Sequence, residues 1–151
     1  MLKPAAAGAE FLIPNKIHHP MSHASMAPLQ LGTFDLNHRT GTRHWSPEMK
    51  LLFGLKPESE VEFDAIFHAL HPDDRRAWIG AITDTLRPDG PDHFSMEYRV
   101  RWPDGSVHWL FSMARTQHSD EPDHRPLSTI GLVTDITRQK QAERIEEMTM
   151  G

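Results

Sequence analysis

DHFSMEYRVRWPDGSVHWLFSMARTQ, residues 92–117, is the stretch that decides the fold. From Asp92 the hydrophobic period is two. Phe94, Met96, Tyr98, Val100 and Trp102 fall on one side, and His93, Ser95, Glu97, Arg99 and Arg101 on the other, which is the pattern of a strand with one buried face. Pro103-Asp104-Gly105-Ser106 reads as a hairpin turn, because proline fixes φ and glycine accepts a positive φ. The return strand, Val107 to Gln117, alternates again, and it is apolar on both faces. Leu110 belongs with the inward set, while Val107, Trp109, Phe111 and Met113 form a row on the opposite side. An apolar row of that size on an antiparallel sheet marks a contact surface, and Ile130 and Leu132 on the following strand extend it.

Upstream, Leu29 to Asn37 and Thr42 to Trp45 read as two paired strands joined by the turn Asn37-His38-Arg39-Thr40-Gly41. Ser46-Pro47-Glu48 is a helix start, with a capping hydroxyl, a proline at the first helical position and a carboxylate near the positive end of the dipole. This helix stops at Gly54. A second helix is expected over Glu62 to Leu70, where Phe63, Ile66, Phe67 and Leu70 recur at helical spacing. His71-Pro72-Asp73-Asp74 opens a third, which carries Trp78, Ile79, Ile82 and Leu86 on one face until Pro88 and Gly90 end it. Asp73 and Asp74 lie in its first turn, where carboxylates serve free amides and the dipole, so capping is the expectation for that pair.

Downstream, a polar loop, Ser119 to Pro126, leads to a last strand, Ser128 to Ile136. Thr137 to Met148 is a charged helix with a narrow seam of Ala142, Ile145 and Met148. The order of two strands, three helices, three strands and a terminal helix is α+β with an antiparallel sheet. Three segments follow: an amino-terminal arm over 1–27, a domain over 28–136 and a carboxy-terminal helix over 137–151. A short helical pattern, Ala5 to Leu12, lies within the arm.

The composition bounds the chemistry. With 151 residues, 38% hydrophobic and 25% charged, the chain has the make-up of one soluble globular domain. The net charge of -5, with scattered basic residues, gives no stripe suited to a phosphate backbone, so nucleic acid is not an expected partner. No apolar run reaches the roughly 20 residues that cross a bilayer; a cytoplasmic location and no membrane partner are expected. The absence of cysteine removes disulfides, thiolate nucleophiles and cysteine-ligated metals. Among the 11 histidines, His18, His19 and His23, or His68 and His71 with Asp73, are ligand types that never reach three convergent groups on one ordered element, and no metal site is expected. No glycine-rich phosphate loop follows a strand and no Ser/His/Asp set has a family spacing, so no catalytic residue is assigned and no enzyme is expected.

Seven local runs in this order resemble the PAS family, most closely the subclass of bacterial sensor histidine kinases and diguanylate cyclases. They are Gly32-Thr33-Phe34-Asp35-Leu36, Trp45-Ser46-Pro47-Glu48, Leu52-Phe53-Gly54-Leu55, His71-Pro72-Asp73-Asp74-Arg75, Glu97-Tyr98-Arg99-Val100, Asp104-Gly105-Ser106-Val107-His108-Trp109 and Gly131-Leu132-Val133-Thr134-Asp135-Ile136-Thr137. The resemblance covers about Leu31 to Glu143. It implies a five-stranded antiparallel sheet in spatial order 2-1-5-4-3, helices over one face, a small pocket between them, and a signalling helix at the end. It also implies a sensory or regulatory module in signal transduction, including two-component systems.

Carrying the family's strand orientation onto this chain points Phe34, Met96, Tyr98, Val100, Leu110, Ser112 and Val133 toward the helices, with Leu52, Phe53, Phe63, Phe67 and Trp78 closing the pocket. Such a set suits a small hydrophobic ligand and equally an ordinary packed core, in which case the chain is a purely structural protein–protein interaction module. The identity of any cofactor stays open. The family's blue-light flavin chemistry needs a cysteine and is excluded. Its haem branch places an axial histidine on the long helix, and Pro72 to Leu86 contains none. Citrate-like acids are bound through pocket arginines in extracytoplasmic relatives, whereas the arginines here fall mostly on outward positions. The expected partners are a second copy through the row Val107, Trp109, Phe111, Met113, Ile130 and Leu132, and a kinase or cyclase output domain or a partner protein. Asp135 and Thr137 are the expected junction through which the sheet moves the terminal helix, Thr137 capping it.

Overall fold

The computed structural model describes residues 31–150. Its elements are β1 (Leu31–Asn37), β2 (Thr42–Trp45), α1 (Pro47–Leu52), α2 (Phe63–Ala69), α3 (Pro72–Leu86), β3 (His93–Arg101), β4 (Val107–His118), β5 (Pro126–Asp135) and α4 (Thr137–Met150). The five strands form one antiparallel sheet in the order β2-β1-β5-β4-β3. The arm, the Ala5 to Leu12 pattern, His18, His19, His23 and the boundary at residue 28 lie outside the described residues.

The expected β3–β4 hairpin forms, with Tyr98 opposite Leu110 and Met96 opposite Ser112. Its turn closes through the Gly105 amide, which donates to the Trp102 carbonyl at 2.8 Å, and Gly105 takes φ +89°, a value costly for a residue with a Cβ. The strand β5 begins two residues before the expected Ser128. Proline is tolerated at a strand's first residue, and an irregularity between Gln117 and His118 lets His118 pair with Pro126.

Local chemistry fixes the helices. The Ser46 hydroxyl accepts from the Met49 amide at 3.1 Å and from the Thr33 amide at 3.0 Å, so one side chain caps α1 and ties it to β1. At α3 the expected carboxylate cap is replaced. The His71 ring accepts from the Asp73 amide at 3.1 Å, because His71 sits at the cap position itself. Asp74 turns away to the sheet, where both its oxygens engage Arg99: Oδ1 with Nη2 at 2.8 Å, and Oδ2 with Nε at 3.0 Å and the Arg99 amide at 2.8 Å.

The core lies between the sheet's inner face and α1, α2 and α3. Trp45, Met49, Leu52, Phe53, Ile66, Leu70, Tyr98, Val100, Leu110 and Val133 are buried there. Complete burial of each large apolar side chain stabilises the fold by about 1.5–3 kcal/mol before the loss of chain entropy. The helix α3 departs from this packing: Trp78, Ile79, Ile82 and Leu86 are only half-buried, and Thr85 is its one buried residue.

Candidate functional site

The helix α3 holds its apolar face away from the sheet, and a cavity of about 310 Å³ lies beneath it. Trp78, Ile79, Ile82 and Leu86 from α3 face Phe34 and Leu36 from β1, Phe94, Tyr98 and Ser112 from β3 and β4, and Trp45, Met49, Phe63 and Ile66 from the α1–α2 side. The β1–β2 end is polar, with Asn37, His38, Thr42 and Arg43 in the lining. The volume and largely apolar walls are those of a small-molecule pocket.

Two hydroxyls mark the sheet side. Tyr98 is buried and its phenol bonds the Ser112 hydroxyl at 2.6 Å. Burial pushes the phenol up to about 12, against the opposing pull of its bonds to Ser112 and Trp78, so it remains protonated at every physiological pH. Gly131 on β5 explains the position of Phe34. A Cβ at Gly131 would strike the Phe34 ring and come within 2.7 Å of the Met113 carbonyl, so the ring can hold its place only because residue 131 has no side chain.

Of the expected pocket residues, Phe34, Phe63, Trp78, Tyr98 and Ser112 line the cavity. Phe63 is 48% exposed, at the rim. Leu52, Phe53, Val100, Leu110 and Val133 are buried in the adjoining core and do not reach the cavity, because α1 packs directly on the sheet there. Met96 packs against that core. Phe67 turns aside, stacked on Phe63 with centroids 5.9 Å apart and under the Arg75 guanidinium at 4.9 Å. Sequence reasoning missed Leu36, His38, Arg43, Met49, Ile66, Ile79, Ile82, Leu86 and Phe94. The signal for several was present, since Ile79, Ile82 and Leu86 share the face of Trp78. Arg43 is an exception to the mostly outward arginines, lying opposite Leu36 on the sheet's inner face.

On the outer face, Trp109 is half-buried beneath side chains of the chain itself. Arg99 lies over its ring at 5.1 Å and Lys140 of α4 at 4.8 Å, and Lys140 bonds Glu97 at 2.9 Å. Phe111, Met113 and Leu132 are half-buried, while Val107 and Ile130 are 42% and 49% exposed. The Thr137 hydroxyl accepts from the Trp109 amide at 2.9 Å, the Ile136 amide donates to the Trp109 carbonyl at 2.9 Å, and Asp135 Oδ1 accepts from the Thr137 amide at 2.8 Å. Thr137 therefore bonds to the sheet, and the expected cap of its own helix comes instead from Asp135, because β4 presents a free amide to the hydroxyl.

Among the described residues, no three His, Asp or Glu side chains are placed to share a metal ion. His68 Nδ1 instead lies 2.8 Å from the Asp64 carbonyl oxygen, and His71 caps α3. No helix among them is long and apolar enough to cross a membrane.

A family model described as the PAS fold matches residues 42–133, more than half of the chain. A crystal structure of a sensory box histidine kinase/response regulator from Burkholderia thailandensis superposes with a TM-score of 0.63 at 28% identity, over 81% of this chain and 88% of that one. The amino-terminal domain of a diguanylate cyclase with a PAS/PAC sensor from Marinobacter aquaeolei superposes with a TM-score of 0.61 at 17% identity, over 73% and 98%. No curated protein matches the chain in sequence.

Proposed function

The chain belongs to the PAS family, and on that premise we propose that it is a cytoplasmic sensory module in signal transduction that binds a small, largely apolar ligand beneath α3. One observation carries this reading: the apolar side chains of α3 stand half-buried around a cavity of about 310 Å³ instead of closing on the sheet. A ligand gains the burial that the protein's own side chains forgo. The module carries out no reaction of its own; the histidine kinase and cyclase to which its relatives belong are the type of output it serves.

The signal leaves through the sheet. Strands β3 and β4 line the cavity on one face and hold α4 on the other through Trp109, so a change in their twist on ligand binding is felt at the Asp135–Thr137 junction. The sensory domain ends with β5, and α4 is its signalling helix.

A second reading, a protein-interaction module whose outer face makes a homodimer, is favoured by the half-buried Phe111, Met113 and Leu132 beside the exposed Ile130. The two are compatible. Native mass spectrometry of the freshly purified chain, alone and with a panel of apolar ring compounds, separates them. Saturable one-to-one adducts support the sensor; a dimer that takes up nothing supports the interaction module alone.

A further inference from the structure

We propose that the cavity takes an apolar molecule bearing one carboxylate, its body under α3 and its head group held at the β1–β2 end by Arg43 and His38. This rests on the ligand-site reading above and adds the class of molecule. Arg43 and His38 are the two ionisable side chains of the lining besides the Tyr98 phenol, and no Asp or Glu lines it. Arg43 makes no ion pair or hydrogen bond among the described residues, whereas Arg99 on the outer face of the sheet is held by Asp74. Its planar fork matches a carboxylate with two parallel hydrogen bonds. The deep end excludes charge, because the Tyr98 and Ser112 hydroxyls are bonded to each other among apolar walls. A molecule with an apolar body and a charged tip fits in one orientation only.

The orientation of His38 follows from counting hydroxyl protons. The Thr85 hydroxyl donates to the Ile82 carbonyl at 2.7 Å, so towards Thr116 it can only accept; Thr116 donates to it at 3.2 Å. Thr116 has then spent its proton and accepts from Thr129 at 2.7 Å, and Thr129 in turn accepts from His38 Nε2 at 2.7 Å. The relay runs one way, from the imidazole to the backbone of α3, and fixes the proton on Nε2. Nδ1 is the nitrogen left for a ligand. Neutral, it presents a lone pair that a carboxylate avoids; protonated, it donates. Binding of the carboxylate therefore takes up a proton at Nδ1 without breaking the relay. Burial first, and then His118 at the end of β4, hold the His38 pKa below its ordinary value, so the imidazole of the free site is neutral at pH 7. The other charged lining group is Arg43 from β2, and α3 contributes no titratable side chain to the cavity.

The test is calorimetric titration of the full chain with 3-phenylpropionate and its neutral counterpart 3-phenylpropanol. The acid is expected to bind about tenfold more tightly at pH 6. Arg43→Gln, at an exposed position, is expected to cut that preference to the few-fold share supplied by His38, while changing the alcohol's affinity far less. Between about pH 8 and pH 6 the acid's affinity should rise several-fold while the alcohol's stays flat. Equal binding of acid and alcohol, or an acid preference undiminished by Arg43→Gln, overturns the head-group assignment while leaving the ligand site standing. A flat pH profile for the acid overturns the part given to His38. Binding of neither probe overturns the ligand-site reading and this inference with it.

Discussion

Tyr98 and Asp74 show how single side chains couple the layers. The Tyr98 phenol and the Ser112 hydroxyl satisfy each other out of reach of water, so Tyr98→Phe leaves a buried hydroxyl without its partner and is expected to cost about 1–2 kcal/mol in urea denaturation. Adding Ser112→Ala should recover much of that loss, which simple removal of packing would not predict. Asp74 belongs to a different regime. Burial opposes its ionisation, but the hydrogen bonds from the Arg99 side chain and amide, together with the guanidinium charge, outweigh that and hold the carboxyl below the ordinary aspartate value. Its contribution is therefore present above about pH 4, the unfolded value, and is lost as the pH falls through the lowered one. The pair is partly open to solvent, so Asp74→Asn should lower stability by about 1 kcal/mol at pH 7, and the difference should shrink as the pH falls below about 4. A difference that is unchanged in acid would mean that packing, not charge, is what the substitution removes.

At the scale of elements, β5 and α4 depend on groups that have little bulk. Gly131 gives Phe34 its place, and Gly131→Ala is expected to destabilise the fold by about 1–3 kcal/mol and to shift the Phe34 ring resonances, since the added methyl meets both that ring and the Met113 carbonyl. The helix α4 is held to the sheet by Trp109, with Lys140 on its ring and Thr137 on its amide. Trp109→Ala should leave the sheet folded while amides of α4 exchange several-fold faster; unchanged exchange would contradict the proposed route to the terminal helix. The strands and helices were legible in the sequence because each has a period and punctuation of its own, as at Ser46-Pro47-Glu48 and Pro103-Asp104-Gly105-Ser106. The cap of α3 was not. His71 and the two aspartates compete for the same amides, and the choice depends on Arg99, which is 25 residues beyond Asp74 in sequence and brought beside it by the fold.

For the molecule as a whole, the sheet separates two surfaces, a cavity on the helix side and an apolar strip on the other. Phe111→Glu with Ile130→Glu is expected to convert a dimer to a monomer in sedimentation velocity, and an unaltered dimer would move the interface elsewhere. The candidate site was half legible. The strand orientation implied by the family resemblance placed Phe34, Tyr98 and Ser112 on the inner face, where they line the cavity, but the same orientation put Val100, Leu110 and Val133 there too. What distinguishes them is the height of α3 above the sheet, a property of tertiary packing that no local pattern encodes. Arg43 escaped notice for a related reason, since four residues of β2 give too short a run to assign faces. The central claim, that this space takes a ligand, is tested most directly by ¹H–¹⁵N spectra of the labelled chain titrated with small apolar ring compounds. The account predicts saturable shifts confined to α3, Phe94, Tyr98 and the β1–β2 end, extending on occupancy to Trp109 and the start of α4. Spectra that do not change, or shifts scattered over the outer face alone, would contradict it.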